Sequence, residues 1–132
     1  TSEHLSDEAI VDTFRRFSNN HHNSWKTALN SLLKEYRDKT VALYPASHLT
    51  FVAIKETELL GADVLGMFDV DEKKQGLEIL GLKVFPPDAL KEKKPDLILI
   101  FTMAFEPEIR QSFQDLGLTC QVVSISELVN KK

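Results

Sequence analysis

The chain has 132 residues, of which 42% are hydrophobic and 27% charged, so it suits one globular domain with its own core and is not a disordered tail. The formal net charge is −4, and basic residues form only short clusters, such as Lys91/Lys93/Lys94 and Lys131/Lys132, which argues against nucleic acid as a partner. The lone Cys120 excludes an internal disulfide, and no apolar run approaches the roughly 18 residues of a membrane span. We therefore predict a cytoplasmic chain with no membrane partner and no metal site.

Two helices are predicted over residues 1–38. The first opens at Ser6 and Asp7, and a polar run over residues 18–23 ends it. The second has the clearest amphipathic pattern in the chain, from Trp25 to Tyr36. The apolar stripes of the two helices are Ile10, Phe14 and Phe17, and then Trp25, Ala28/Leu29, Leu32/Leu33 and Tyr36. We predict that this helical pair packs on an α/β domain formed by residues 39–132, so that the chain is one structural unit.

From Thr40 onward, short apolar runs alternate with helical segments. The predicted strands are 40–44, 64–68, 82–85, 96–101 and 119–123. The predicted helices are about 49–60 with Gly61 as a left-handed cap, a short turn after Pro86-Pro87, 107–116 ended by Gly117, and a last turn at 126–129. Strands that are apolar on both sides and alternate with helices predict a parallel sheet with helices on both faces. The fold class is therefore a Rossmann-like α/β domain of four to five strands, preceded by two helices.

The order of the strands predicts where a ligand would bind. Right-handed crossovers place the Leu43 strand centrally, with the Leu65 and Val84 strands on one side and the Ile98 and Val122 strands on the other. Strand order then reverses between the Leu43 and Ile98 strands. Because ligands of open α/β sheets bind beyond the carboxyl ends of the strands at such a reversal, we predict a nucleotide-sized crevice there.

Three loops meet at this crevice and supply the candidate cofactor-binding residues. These are Tyr44, Pro45, Ala46, Ser47, His48, Thr50, Asp69, Thr102 and Met103. No glycine lies between Thr40 and Leu60, so Ser47, His48 and Thr50 would present polar donors to a phosphate or carboxylate; alternatively, Ser47 simply caps the helix.

The other two loops each leave two interpretations open. Asp69, at the end of the second strand, either accepts hydrogen bonds from ribose hydroxyls or makes a turn with Asp71. Met103 and Phe105 either contact a flat base or plug the core.

Catalysis by this chain alone is disfavoured. His4, His21 and His22 have no partner at a metal-ligand spacing, and His48 has no evident nucleophile to activate. Cys120, in a β-branched run, is predicted to be a buried core thiol. There is no nucleophile elbow or P-loop either, so no catalytic residue is assigned.

The residues from Lys39 onward resemble a known family. The string from Lys39 to Thr50 is similar to "K-x-V-x-x-Y-G-A-G-x-x-T", with Pro45 and Ser47 where the family has glycines. Phe68-Asp69 and Lys74-Gln75-Gly76 resemble its "D…KQG", and residues 95–100 resemble "PDxxLI". Such motifs occur in the carboxyl-terminal domain of sugar C-methyltransferases and in the amino-terminal domain of sugar-nucleotide acyltransferase and dehydratase-type enzymes.

This resemblance covers about residues 39–125 and implies a Rossmann-like domain that holds a nucleotide, a dinucleotide such as NAD(P) or a nucleotide-sugar. The domain would belong to, or partner with, a larger sugar-modifying enzyme. The alternative is a domain without a ligand that serves in docking, regulation or dimerisation. Because the chain begins at Thr1 rather than methionine, a processed chain or a segment of a longer polypeptide is expected, and a homodimer is a further expectation.

Overall fold

A computed structural model describes residues 24–102 and 104–130 of the chain. Its helices are α1 (Ser24–Glu35), α2 (His48–Glu56), α3 (Ala89–Lys93), α4 (Glu106–Asp115) and α5 (Ile125–Asn130), with a 3-10 turn at Leu59–Gly61. Its strands are β1 (Thr40–Tyr44), β2 (Asp63–Phe68), β3 (Glu78–Ile79), β4 (Leu82–Phe85), β5 (Leu97–Ile100) and β6 (Gln121–Ser124). The second predicted helix corresponds to α1, whereas the first predicted helix and His4, His21, His22 and Met103 lie outside the described residues.

The strands form one sheet in the order β3-β4-β2-β1-β5-β6. The β4-β2, β2-β1, β1-β5 and β5-β6 pairs are parallel, as the alternation of strands and helices predicts. The sequence prediction lacks β3, which pairs antiparallel with β4 at the edge. Two residues are too few to show a hydrophobic period, so the sequence pattern could not indicate this strand. It is defined by its pairing with Leu82 and Lys83.

Helices cover both faces of the sheet. Because alternate residues of a strand point to opposite faces, the central strands contribute side chains to two cores. Val41 and Leu43 of β1 belong to a core built with α1, α2 and α5. Ala42 and Tyr44, one residue out of phase, belong to a second core that includes Leu90 and Phe113 of α3 and α4. The apolar stripe of α1 is thus part of the first core and contributes buried Trp25, Leu29, Leu32 and Leu33.

The predicted left-handed cap at Gly61 is wrong. Helix α2 ends five residues earlier, where the Thr57 amide and the Thr57 hydroxyl both donate to the Ala53 carbonyl, at 3.0 and 2.6 Å. Gly61 instead lies within the 3-10 turn. The other predicted glycine terminator is confirmed: Gly117 follows α4 with φ of +78°.

Candidate functional site

The predicted reversal of strand order lies at β1, which pairs with β2 on one side and β5 on the other. The loops that follow β1 and β5 meet at this point. The Phe101 amide donates to the Tyr44 carbonyl at 2.7 Å, and the Ser47 hydroxyl donates to the Phe101 carbonyl at 3.4 Å. The Ala46 amide also donates to the Asp69 carboxylate at 3.0 Å, so the structure brings all three predicted loops together.

Ser47 stands at the N-cap position of α2, but its hydroxyl makes no capping bond. The Thr50 hydroxyl donates to the Pro45 carbonyl, and the Ser47 Oγ lies 3.3 Å from the Thr50 Oγ1. Both side chains are buried, with 7% of Ser47 and none of Thr50 exposed. The two hydroxyls therefore hold the loop in shape, and the interpretation of Ser47 as a helix cap is wrong because its oxygen points to the neighbouring loop.

Asp69 is the centre of a network of hydrogen bonds between loops. Its Oδ1 accepts from the Asp71 amide at 2.9 Å, the turn that the sequence left open as an alternative. Its Oδ2 accepts from Ala46 and lies 3.8 Å from the Lys74 ammonium, which donates to the Ala46 carbonyl at 2.8 Å. The Gln75 side chain donates to the Asp69 carbonyl at 2.9 Å. The candidate residues predicted from the sequence do not include Lys74 and Gln75, although both belong to the segment that resembles "D…KQG".

The Tyr44 side chain packs in the second core. Its ring packs edge to face against Phe113, with ring centroids 5.4 Å apart. Burial, and secondarily the negative charge of Asp69, raises the pKa of the Tyr44 phenol. Tyr44 therefore contributes only its backbone to the contacts between the loops, while its phenol stays neutral in the core. The Tyr44–Pro45 peptide bond is cis, and Pro45 is half-buried.

The exposed predicted residues lie at the start of α2 and after β5. His48 is the first residue of α2 and is exposed, with its ring centroid 6.0 Å from that of Phe51. Thr102 is half-buried and accepts the Ala104 amide at 3.2 Å. Phe105 is 44% exposed with φ of +62°, so the interpretation of Phe105 as a core plug is wrong. Phe101 takes that place, with 1% of its surface exposed.

A pocket of about 650 Å3 opens at the opposite edge of the sheet, where β5 and β6 begin. None of the candidate cofactor-binding residues lines it, but Cys120 does. The prediction of a buried core thiol is wrong because Cys120 precedes the edge strand β6 and is only partly buried. Partial burial still raises the pKa of this thiol.

Within residues 24–102 and 104–130, every helix is too short or too polar to cross a membrane. The same part of the chain contains no group of three or more His, Cys, Asp or Glu side chains placed to hold a metal ion.

A helix-covered parallel sheet with a reversal of strand order beside β1 defines a Rossmann-like α/β domain. The model of the family described as the C-methyltransferase C-terminal domain matches residues 2–119, and the chain belongs to this family. The match confirms the resemblance found in the sequence. It also extends the family to the amino-terminal residues, which the resemblance over 39–125 left out.

Among solved structures, the chain is similar to RSP, a Rex-family repressor. The crystal structure of RSP in complex with β-NAD+ and operator DNA has a TM-score of 0.51 and 14% sequence identity, and the alignment covers 91% of this chain and 73% of that one. The crystal structure of RSP in complex with β-NADH has a TM-score of 0.49 and 14% sequence identity, and the alignment covers 91% of this chain and 74% of that one. A further crystal structure of RSP has a TM-score of 0.48 and 15% sequence identity. The alignment covers 66% of this chain and 53% of that one, so the chain spans about half the length of that relative.

At 14% identity, the likeness with a TM-score of 0.51 shows the fold alone. No curated protein sequence matches the chain.

Proposed function

We propose that this chain is the nucleotide-holding domain of a sugar-modifying C-methyltransferase. It binds a nucleotide, a dinucleotide or a nucleotide-sugar at the carboxyl edge of the sheet, between the loops 44–50 and 101–105. The observation that carries this proposal is the reversal of strand order between β1 and β5, with the two loops in direct hydrogen-bond contact. Membership of the C-methyltransferase C-terminal domain family supports the role in such an enzyme, and β-NAD+ bound to the similar fold of RSP supports a dinucleotide.

The proposed site uses backbone groups more than side chains. The amino end of α2 faces this edge, and because the Ser47 hydroxyl does not cap it, the amides of the first turn are the donors that a phosphate would meet. His48 is exposed at the start of α2, and we propose that it lies at the mouth of the site. Thr102 lies on the proposed opposite wall, while the backbone of Tyr44, Pro45 and Ala46 forms the floor. The chemistry of methyl transfer is assigned to another part of the parent enzyme, and no residue of this chain is given a catalytic role.

Docking is a second candidate function, and one observation favours it. Three large apolar side chains around the edge hairpin are well exposed: Val70 at 67%, Leu77 at 49% and Leu80 at 40%. Together with the exposed edge of β3, they offer a surface for a catalytic domain of the same enzyme.

Calorimetric titration tests the nucleotide proposal. NAD+, ADP-ribose, UDP-glucose and coenzyme A are titrated into the chain and into the variant His48→Glu. A carboxylate at the first position of a helix favours the helix, so the fold is kept while a phosphate is repelled. The expected result is binding of at least one ligand, weakened about tenfold (about 1.4 kcal/mol) by His48→Glu.

The matched control is Ser31→Glu, which adds a carboxylate at an exposed position of α1. It should bind like the wild type. Flat titrations with every ligand at millimolar concentration would contradict the nucleotide proposal and leave docking as the better candidate.

A further inference from the structure

The carboxylate at the end of β2 is used by the protein itself. Both oxygens of Asp69 accept backbone amides, one from Asp71 and one from Ala46. Only 6% of the residue is exposed. A carboxylate that binds ribose must offer its oxygens to the ligand, and this one is turned inward to join two loops. Asp69 therefore acts as a positioning residue for the loop that leads into α2.

The Lys74 ammonium lies at the same place, on a side chain that is partly exposed. It donates to the Ala46 carbonyl at 2.8 Å, two residues before the first residue of α2. It lies 3.8 Å from the Asp69 Oδ2, which is an ion pair rather than a hydrogen bond. An ammonium has three N–H donors, and in the part of the chain that the structure describes, the Ala46 carbonyl is the acceptor it meets. Further donors are thus left for a ligand.

Exposure decides which of the two charges a ligand meets. A third of the Lys74 side chain is exposed, at 33%, against 8% for the Asp69 side chain. The buried carboxylate holds the cation in place, and part of the Lys74 side chain stays open to solvent. A cationic side chain near the end of the second strand is also the arrangement that accommodates a phosphate on the ribose in sites of this fold.

We propose that the crevice selects a ligand with a phosphate group beside the end of β2, and that Lys74 binds this phosphate. The inference rests on the proposed function and adds the residue that binds the phosphate of its ligand. Two sources supply the same chemistry: a 2′-phosphate on the ribose and the diphosphate of a nucleotide-sugar or dinucleotide.

The experiment compares Lys74→Gln, Lys74→Arg and the control Lys73→Gln. Lys73 is the neighbouring exposed lysine, so its replacement changes the net charge of the protein equally. Each protein is titrated with NADP+, NAD+, UDP-glucose, inorganic pyrophosphate and adenosine. Lys74→Gln should weaken the phosphate-bearing ligands about tenfold (about 1.4 kcal/mol). Lys74→Arg should restore most of the affinity, Lys73→Gln should stay within about twofold of wild type, and adenosine should bind all four proteins alike.

The pattern across ligands identifies the phosphate. A wild-type preference for NADP+ over NAD+ that Lys74→Gln abolishes identifies the 2′-phosphate. Equal weakening of NADP+, NAD+ and UDP-glucose identifies the diphosphate. Either pattern supports the proposal.

Three results would overturn it. The first is that Lys74→Gln and Lys73→Gln have equal effects on every ligand that binds, and the second is that Lys74→Gln weakens adenosine as much as it weakens the phosphate-bearing ligands. The third is that the wild type binds no pyrophosphate and the nucleotide titrations are also flat. The first two leave the proposed function intact if nucleotides bind. Pyrophosphate binding that depends on Lys74, with no nucleotide bound, would instead refute the proposed function and support the phosphate site.

Discussion

Gly66 in β2 should be far less tolerant of a side chain than Gly61 or Gly117. It pairs with Ala42 just after a shift of register between β1 and β2, and its φ is +151°. A Cβ at this position would lie 2.7 Å from the Phe85 Cε2 and 2.8 Å from the Lys83 carbonyl oxygen. The ring can rotate slightly, but the carbonyl belongs to β4, which pairs with β2. The variant Gly66→Ala must therefore displace a strand or distort its own backbone.

The size of the effect follows from these two contributions. Overpacking of a core costs about 1–3 kcal/mol, and a residue held at an unfavourable φ costs about 1–3 kcal/mol, so we expect Gly66→Ala to lower the free energy of unfolding by about 3 kcal/mol. For 132 residues the unfolding entropy is roughly 0.28 kcal/mol per kelvin, which converts this loss into a fall in Tm of about 11 °C.

The assay is thermal and urea denaturation followed by circular dichroism, with two glycine controls. Gly61 has an ordinary φ and Gly117 a φ of +78°, and neither would bring a Cβ within 4 Å of another heavy atom. Gly61→Ala should change stability by less than about 0.5 kcal/mol, and Gly117→Ala should cost about 1 kcal/mol from its backbone alone. The reasoning is refuted if Gly66→Ala is as stable as Gly61→Ala, or if Gly117→Ala is equally damaging, since contact with β4 would then contribute nothing.

Two further predictions concern charged groups. Burial acts to raise the pKa of Glu106, but hydrogen bonds from Arg110 and Ser126 outweigh it and hold the pKa below its usual value. This stabilisation is present above the ordinary glutamate pKa and is lost as pH falls through the lowered one. Glu106→Gln should therefore be less stable by about 0.5 kcal/mol at pH 7 and equal to wild type in strong acid, as urea titrations at several pH values would show. Asp69→Asn should lower the raised pKa of Tyr44 part of the way toward normal, read from tyrosinate absorbance, because it removes the nearby charge. Asp69→Asn should also lower the free energy of unfolding by about 1–3 kcal/mol, because a side-chain amide has only one oxygen and cannot accept from both loop amides. An unchanged pKa of Tyr44 in this variant would refute the electrostatic argument.

The positions of the strands and their direction could be read from local pattern. Runs such as Leu97–Ile100 are apolar at every position because both faces of the sheet are covered, and that requirement leaves a direct mark on the sequence. The order of the five parallel strands followed from the handedness of crossovers, so the place where strand order reverses could be named without coordinates. The α1 stripe likewise marked its buried face.

Contacts between distant residues decided the rest, because no local pattern records them. Ser47 looks like a helix cap until the Phe101 carbonyl, 54 residues away, is placed beside its hydroxyl. Asp69 has the position of a ribose acceptor, yet the Ala46 amide, 23 residues before it, occupies one oxygen and Lys74 approaches the same side. Which polar atoms remain open to a ligand depends on which partners the fold has already given them, and the packing of the loops alone determines that.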